Sequence, residues 1–280
     1  MKEIVVAIDF SKGSLHALQY AIHFANMAKC NIKMVWVDSQ SGHEIAFSPE
    51  SGELRDEMTN NFEELVSSVG NQLTGGKLSY KLRKGKVFHE LAAQAKLSKA
   101  DLIIAGTHGV TGFEEYWIGS SAFRIVLCAP CPVITVRYNF DVSRSLRNII
   151  IPIDHTAETI QKVPYTAKIA KMFNAQVHIL ALLSSRIKSL QTKIETSALK
   201  IEKYLARNGV NYITEYRFAE DLTGATIKYA SDTDADMIII MTEQESCEAN
   251  LLLGQFTQQM VNFSPIPVIS VHPQETFVLA

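Results

Sequence analysis

The run Gly106-Thr107-His108-Gly109, followed by Gly119-Ser120-Ser121, has the residue types and spacing to hold phosphate on backbone amides. Leu102-Ile103-Ile104-Ala105 before it is an apolar run of strand length, and Ser120 to Leu127 after it reads as a short helix entered through Gly-Ser. Glycine lets a main chain approach an anion with no Cβ in the way, and a helix start adds free N–H groups and partial positive charge. A strand, paired glycines and a Gly-Ser helix entry would together converge two sets of amide donors. The same glycines could equally relieve strain in a plain strand–loop–helix turn, so the reading depends on the elements that position them.

The sequence has 280 residues, 47% hydrophobic and 20% charged, which is an ordinary globular composition with ample core. At ~150 residues per domain the length suggests two. A net charge of −2 and no basic tract argue against nucleic acid or an acidic membrane as partner. Met1 to Asp9 runs directly into a strand-like segment, too soon interrupted by Asp9 for a signal peptide. No apolar run approaches the ~18 residues of a membrane span, so a soluble cytoplasmic protein is expected. Cys128-Ala129-Pro130-Cys131 invites a redox or zinc reading. Zinc would want a second ligand pair, which is lacking, and a redox pair belongs at a helix start, whereas this one falls at a helix end. Buried structural thiols are expected there.

Self-comparison shows two copies of one unit. Ile4-Val5-Val6-Ala7-Ile8-Asp9 matches Ile149-Ile150-Ile151-Pro152-Ile153-Asp154, and Leu15, Leu18, Ile22 and Ala25 fall on Ile160, Val163, Ala167 and Ala170 at helical spacing. Further on, Ala100-Asp101-Leu102-Ile103-Ile104 matches Ala235-Asp236-Met237-Ile238-Ile239, and Gly119 falls on Gly254. The second copy is the shorter one between its second and fourth strands. Each copy alternates strands and helices, and the strands are continuous aliphatic runs, as when helices cover both sheet faces. Right-handed crossovers then give two tandem, doubly wound parallel α/β sheets. Ligands of such sheets bind beyond the strand C-termini where the strand order reverses, and Asp9, Val37 and Gly106 sit at that edge.

The run Gly106-Thr107-His108-Gly109-Val110-Thr111-Gly112, then Ile118-Gly119-Ser120-Ser121 and Ala129-Pro130-Cys131-Pro132-Val133, resembles the universal stress protein family, as does Val6-Ala7-Ile8-Asp9-Phe10-Ser11. The resemblance spans both halves. It implies domains over 1–138 and 148–280, each a Rossmann-like, adenine nucleotide alpha hydrolase-like sheet of five strands in the order 3-2-1-4-5. It implies ATP in the nucleotide-binding branch, with Asp9 near the ribose and the Val37 backbone against adenine. The phosphates would meet the amides of Gly106, His108, Gly109, Gly119, Ser120 and Ser121. Any Mg²⁺ would be held by phosphate oxygens and water. ATP is not separated from AMP or ADP by this motif. The implied strand order makes Pro132–Val136 and Pro267–Val271 edge strands, whose pairing across the linker Tyr138 to Arg147 would give an internal pseudo-dimer; further homodimerisation stays open.

The second copy departs from the pattern: Met241, Gln244 and Gln255 stand where the first has Gly106, Gly109 and Ser120, and Glu243 and Glu245 lie in its loop. A carboxylate ~5 Å from a phosphate costs ~3 kcal/mol at an effective dielectric near 20, so nucleotide is expected in the N-terminal half alone. Gly70 to Lys77 resembles a phosphate-binding loop only superficially, because its lysine is one place late, Leu78 follows, and a helix precedes it. His108 reads as a phosphate-contacting loop residue, and His16, His23 and His178 as structural. Trp117 and Phe113 read as packing the loop, and Asp9 could also serve a helix start. Three function classes remain: an ATP-binding stress-response or signalling module, an enzyme cleaving ATP at the α-phosphate, and a structural scaffold. The enzyme reading is disfavoured by the lack of Lys or Arg from Gly106 to Ser121, so no catalytic residue is assigned and at most slow hydrolysis is expected.

Overall fold

The aliphatic runs become parallel strands buried on both faces. Ile4, Val5 and Val6, Ile103 and Ile104, Ile149 to Ile151 and Ile238 to Ile240 are all fully buried, with no alternation. One-sided sheets would leave every second residue to water. The computed structural model describes residues 1–39, 49–107, 120–242, 254–273 and 279, and its contacts divide it into two units, Met1–Tyr138 and Asn139–Ala280.

In the first unit the chain runs β1 (Glu3–Ala7), α1 (Lys12–Ala28), β2 (Asn31–Asp38), α2 (Pro49–Val69), β3 (Leu78–Lys84), α3 (Val87–Ser98), β4 (Leu102–Gly106), α4 (Ser120–Cys128) and β5 (Val133–Val136). The strands are parallel in the order β3-β2-β1-β4-β5. The second unit runs β6 (Asn148–Ile153), α5 (Val163–Phe173), β7 (Gln176–Leu183), α6 (Lys188–Arg207), β8 (Tyr212–Phe218), α7 (Leu222–Asp232), β9 (Met237–Met241), α8 (Gln255–Phe263) and β10 (Val268–Val271). Its order, β8-β7-β6-β9-β10, repeats the first. The doubly wound five-stranded sheet expected from the sequence is therefore present in each unit.

Helix α1 shows how the elements form. The Ser11 hydroxyl caps it by accepting from Ser14 N–H at 3.2 Å, and Ala17, Leu18, Ala21, Ile22 and Ala25 put an apolar face on the sheet. Burying a side chain such as Leu18 or Ile22 stabilises by about 2 kcal/mol. The helix ends at Lys29, whose φ of 51° is left-handed. Its counterpart α5 starts later than the sequence repeat suggests. Ile160, expected on a helix face, lies in a 3-10 turn over Glu158–Ile160, and the α-helix begins at Val163. Pro164 is the reason: without an N–H it is tolerated in a first turn but breaks a helix interior.

Pro152 sits in the central strand β6 without harm, because the ladder to β9 pairs only Ile149 and Ile150. The Gly70 to Lys77 segment is structural, as expected. Asn26 accepts from Thr74 and Gly75 N–H and donates to Gln72 O, while a Cβ on Gly76 would collide with the Cys30 carbonyl. Cys30 and Cys131 are free, and burial pushes their thiols up to about 11 and about 12. Cys128, half-buried at the end of α4, corrects the expectation of a thiol pair: it is disulfide-bonded. No helix of the described residues is long and apolar enough to cross a membrane.

The segment read as a linker is fastened to the second unit rather than free. Arg144 donates to Asp236 Oδ1 from Nε at 3.0 Å and from Nη2 at 2.6 Å, and the Arg147 and Asn148 amides donate to Asp236 Oδ2 at 2.7 and 2.9 Å. The Asp236 carboxylate is buried, and all these donors converge on it. Asp236→Ala would strand the main-chain amides and the guanidinium together, and should lower unfolding free energy by about 3 kcal/mol or more. Urea denaturation followed by circular dichroism checks this; a change below about 1 kcal/mol would contradict it.

Candidate functional site

The last rung joining β1 to β2 is the Ile8 N–H to Val35 O bond at 2.9 Å, and β2 then continues past the end of β1. In a parallel ladder the main-chain groups of alternate residues face the same neighbour. Val37, two residues after Val35, therefore turns both its N–H and its C=O into the space beyond β1. The intervening phase is taken by β3, as in the bond from Gly85 N–H to Asp38 O. This space lies beside the point where the strand order reverses between β1 and β4.

Asp9 is exposed at the mouth of that space, in a turn that fixes its carboxylate. Its Oδ1 accepts from Ser11 N–H at 3.0 Å, and its own N–H donates to the Ser14 hydroxyl at 3.2 Å. Between Asp9 and Ser11, Phe10 adopts φ 60°, a left-handed conformation unfavourable for an aromatic residue. Packing holds it there: the Phe10 ring meets Phe62 edge-on at 4.8 Å, and Phe62 stacks on Tyr80 at 4.8 Å. Asp9 is thus not the cap of α1, a role Ser11 fills.

Gly106 closes the other side. A Cβ on it would lie 2.7 Å from Gly13 O and 2.8 Å from Gly13 C. The end of β4 and the first turn of α1 are therefore in backbone contact, and the glycine is explained by that packing before any ligand is invoked. Helix α4 starts at Ser120, and Ser121 is exposed on its first turn. His108, Gly109, Gly119, Phe113 and Trp117 lie outside the described residues, as does the Ser120 side chain. A cation missed by the sequence reading belongs to this edge: Arg137 follows Val136, the register partner of Gly106. Pairing of β4 with β5 brings it there, and only the strand order could have revealed it. Among the described residues no group of three or more His, Cys, Asp or Glu could hold a metal.

The second unit keeps the backbone and changes the contents. Asp154 repeats the turn, with Oδ1 accepting from Thr156 N–H at 3.0 Å and its N–H donating to the Thr159 hydroxyl at 3.1 Å. His155, where the first unit has Phe10, is not among the positive-φ residues. Met241 replaces Gly106, as the later start of α5 permits. Lys162, at the α5 N-cap, is fully buried and donates from Nζ to Thr159 O at 2.7 Å. Burial pushes its ammonium down to about 8, and Asp154 opposes the shift.

A model of the universal stress protein family matches residues 1–137 and again 145–272. The chain belongs to the universal stress protein family. A universal stress protein of Methanocaldococcus jannaschii is 32% identical over 139 residues, covering 49% of this chain and 82% of that protein. A putative universal stress protein of Staphylococcus aureus strain USA300 is 32% identical over 143 residues, covering 49% and 84%. In fold, the chain resembles the crystal structure of a universal stress protein from Archaeoglobus fulgidus, with a TM-score of 0.78 at 16% identity over 96% of this chain and 98% of that one. A putative universal stress protein from Pseudomonas aeruginosa gives 0.63 at 16% identity, over 98% and 94%.

These features of the universal stress protein fold lead to two expectations. Gly106→Ala should destabilise the first unit by about 1–3 kcal/mol, because the Gly13 main chain cannot yield like a side chain; thermal unfolding without ligand measures it. Lys162, depressed in the folded state, leaves the unfolded chain holding more protons between about pH 8 and the ordinary lysine value of 10.5, so its contribution to stability rises with pH across that window. The raised thiols of Cys30 and Cys131 act oppositely above about pH 9, so the readout is a difference. Lys162→Met should be more stable than wild type by about 3 kcal/mol at pH 7, and the gap should close towards pH 10.5.

Proposed function

We propose that the first unit binds ATP, and that nucleotide occupancy sets the state of a stress-response or signalling module. The observation that carries this reading is the outward-facing main chain of Val37 beside the fixed carboxylate of Asp9. Adenine presents an amino donor next to a ring-nitrogen acceptor, and a carbonyl and an amide on one residue complement that pair. Asp9 would accept from the ribose hydroxyls. The amides of Gly106, His108, Gly109, Gly119, Ser120 and Ser121 would take the phosphates, with the first turn of α4 adding the partial positive charge of a helix start. Mg²⁺ would reach the site on the phosphates, since the described residues supply no cation cluster.

The second unit is proposed to bind no nucleotide. Met241 fills the position of Gly106, and the buried Lys162 ammonium adds a positive charge whose protonation Asp154 favours. Calorimetric titration of the full chain with MgATP should therefore give one site per chain. Gly109→Glu should weaken binding more than 100-fold by crowding and charge repulsion. Asp9→Asn keeps the acceptor for Ser11 N–H but loses the charge, and should weaken ATP about 10- to 100-fold. Two equivalent sites would overturn the assignment to one unit, and no uptake of ATP, ADP or AMP would overturn the reading altogether. Mn²⁺ should bind in equimolar amount only with nucleotide present, as followed by electron paramagnetic resonance.

A further inference from the structure

Within each unit the sheet has a seven-residue strand beside a single neighbour of that unit, β3 against β2 and β8 against β7. The main-chain groups on the outer side of such a strand can accept another strand, and natural proteins blunt that hazard with lysine, proline or a bulge. The two strands differ in this respect. Strand β3 carries Lys81, Arg83 and Lys84. Strand β8 reads Tyr-Ile-Thr-Glu-Tyr-Arg-Phe, with no lysine or proline, and keeps unbroken register with β7 from Val177↔Tyr212 to Leu183↔Phe218. Ile213, Tyr216 and Phe218 are 40%, 43% and 50% exposed, so apolar surface lies along this strand.

We propose that β8 pairs antiparallel with β8 of a second copy of this chain, about a twofold axis through Tyr216. Charge selects that centre. A twofold at Glu215 would set carboxylate against carboxylate, and one at Arg217 would set guanidinium against guanidinium. Centred on Tyr216, Glu215 faces the partner's Arg217, and the symmetric pair repeats it. Both groups are available on one face: Arg217 Nε lies 3.4 Å from Glu215 Oε1, and both side chains are more than a third exposed. Arg217 is held from behind, its guanidinium 4.9 Å from the Tyr229 ring centre and 3.9 Å from Asp232. On the opposite face Tyr216 meets the partner's Tyr216, covering exposed ring surface on each. Thr214 there is already engaged by Glu202 at 2.6 Å, which fixes the backbone next to the axis. A twofold contact closes on itself, so the product is a finite dimer, whereas β8 pairing with β3 of another copy would propagate into a filament.

The test uses the full chain. Sedimentation velocity over a micromolar concentration series should show a reversible monomer–dimer equilibrium. Directly opposed residues of an antiparallel pair have Cα atoms about 4.5–5.5 Å apart, within disulfide reach. Tyr216→Cys should therefore form a covalent dimer on mild oxidation, beyond any seen for wild type, and Tyr212→Cys should not. Glu215→Arg should weaken dimerisation at least tenfold, and the double variant Glu215→Arg/Arg217→Glu should restore it. A chain monomeric throughout the series, growth into larger polymers, a dimer indifferent to Glu215→Arg and not trapped by Tyr216→Cys, or failure of the double variant to recover would each overturn the proposal.

Discussion

The first unit depends on a backbone contact that only glycine permits. With Gly13 O placed 2.7 Å from where a Cβ on residue 106 would stand, the end of β4 and the start of α1 touch main chain to main chain. Beside that contact lie the α1 first turn, the Ser11 cap and the bond from Asp9 N–H to Ser14. Within the Asp9 turn Phe10 takes a left-handed conformation, held by Phe62 and Tyr80. An unfavourable φ of this kind persists only where its surroundings over-determine it, and such residues cluster at binding sites.

The second unit works as an internal control. Met241 cannot allow the same contact, and there the helix begins after a 3-10 turn and the strained residue has a relaxed counterpart. Glycine, early helix start and left-handed residue occur together in the first unit and are replaced in the second by Met241, by a start delayed by Pro164, and by His155. The Asp turn itself survives in Asp154 with nearly the same bond lengths, so it belongs to the fold rather than to a ligand. What changed beside it is Lys162, a buried cation whose Nζ donates to Thr159 O and whose charged form Asp154 favours.

The repeat and the burial of each aliphatic run were legible in the sequence, because a parallel sheet covered on both faces writes itself as uninterrupted Ile and Val, whereas the strand order came from the family resemblance. Asp9, Val37 and Gly106 were legible as one edge for the same reason: each ends a strand, and the order makes those ends neighbours. Less visible was why Gly106 is glycine, since the atom it avoids is 93 residues away by numbering, from Gly13 to Gly106. The late start of α5 was written in Pro164 but masked by a helical apolar period that matched the first copy. The role of Asp236 as anchor for Arg144, Arg147 and Asn148 was not legible, because main-chain amides leave no mark in residue type.

Lys162 has one more consequence. An amine with a pKa of about 8 is unprotonated in roughly a tenth of molecules at pH 7, against about one in three thousand for an ordinary lysine. The burial that lowers its pKa also denies the amine to any reagent in solution, and exposing it would return it to the ordinary lysine value. Its reactivity is gated by opening of the fold alone. Acylation of Lys162 would therefore count the openings of the second unit that bring this side chain to water.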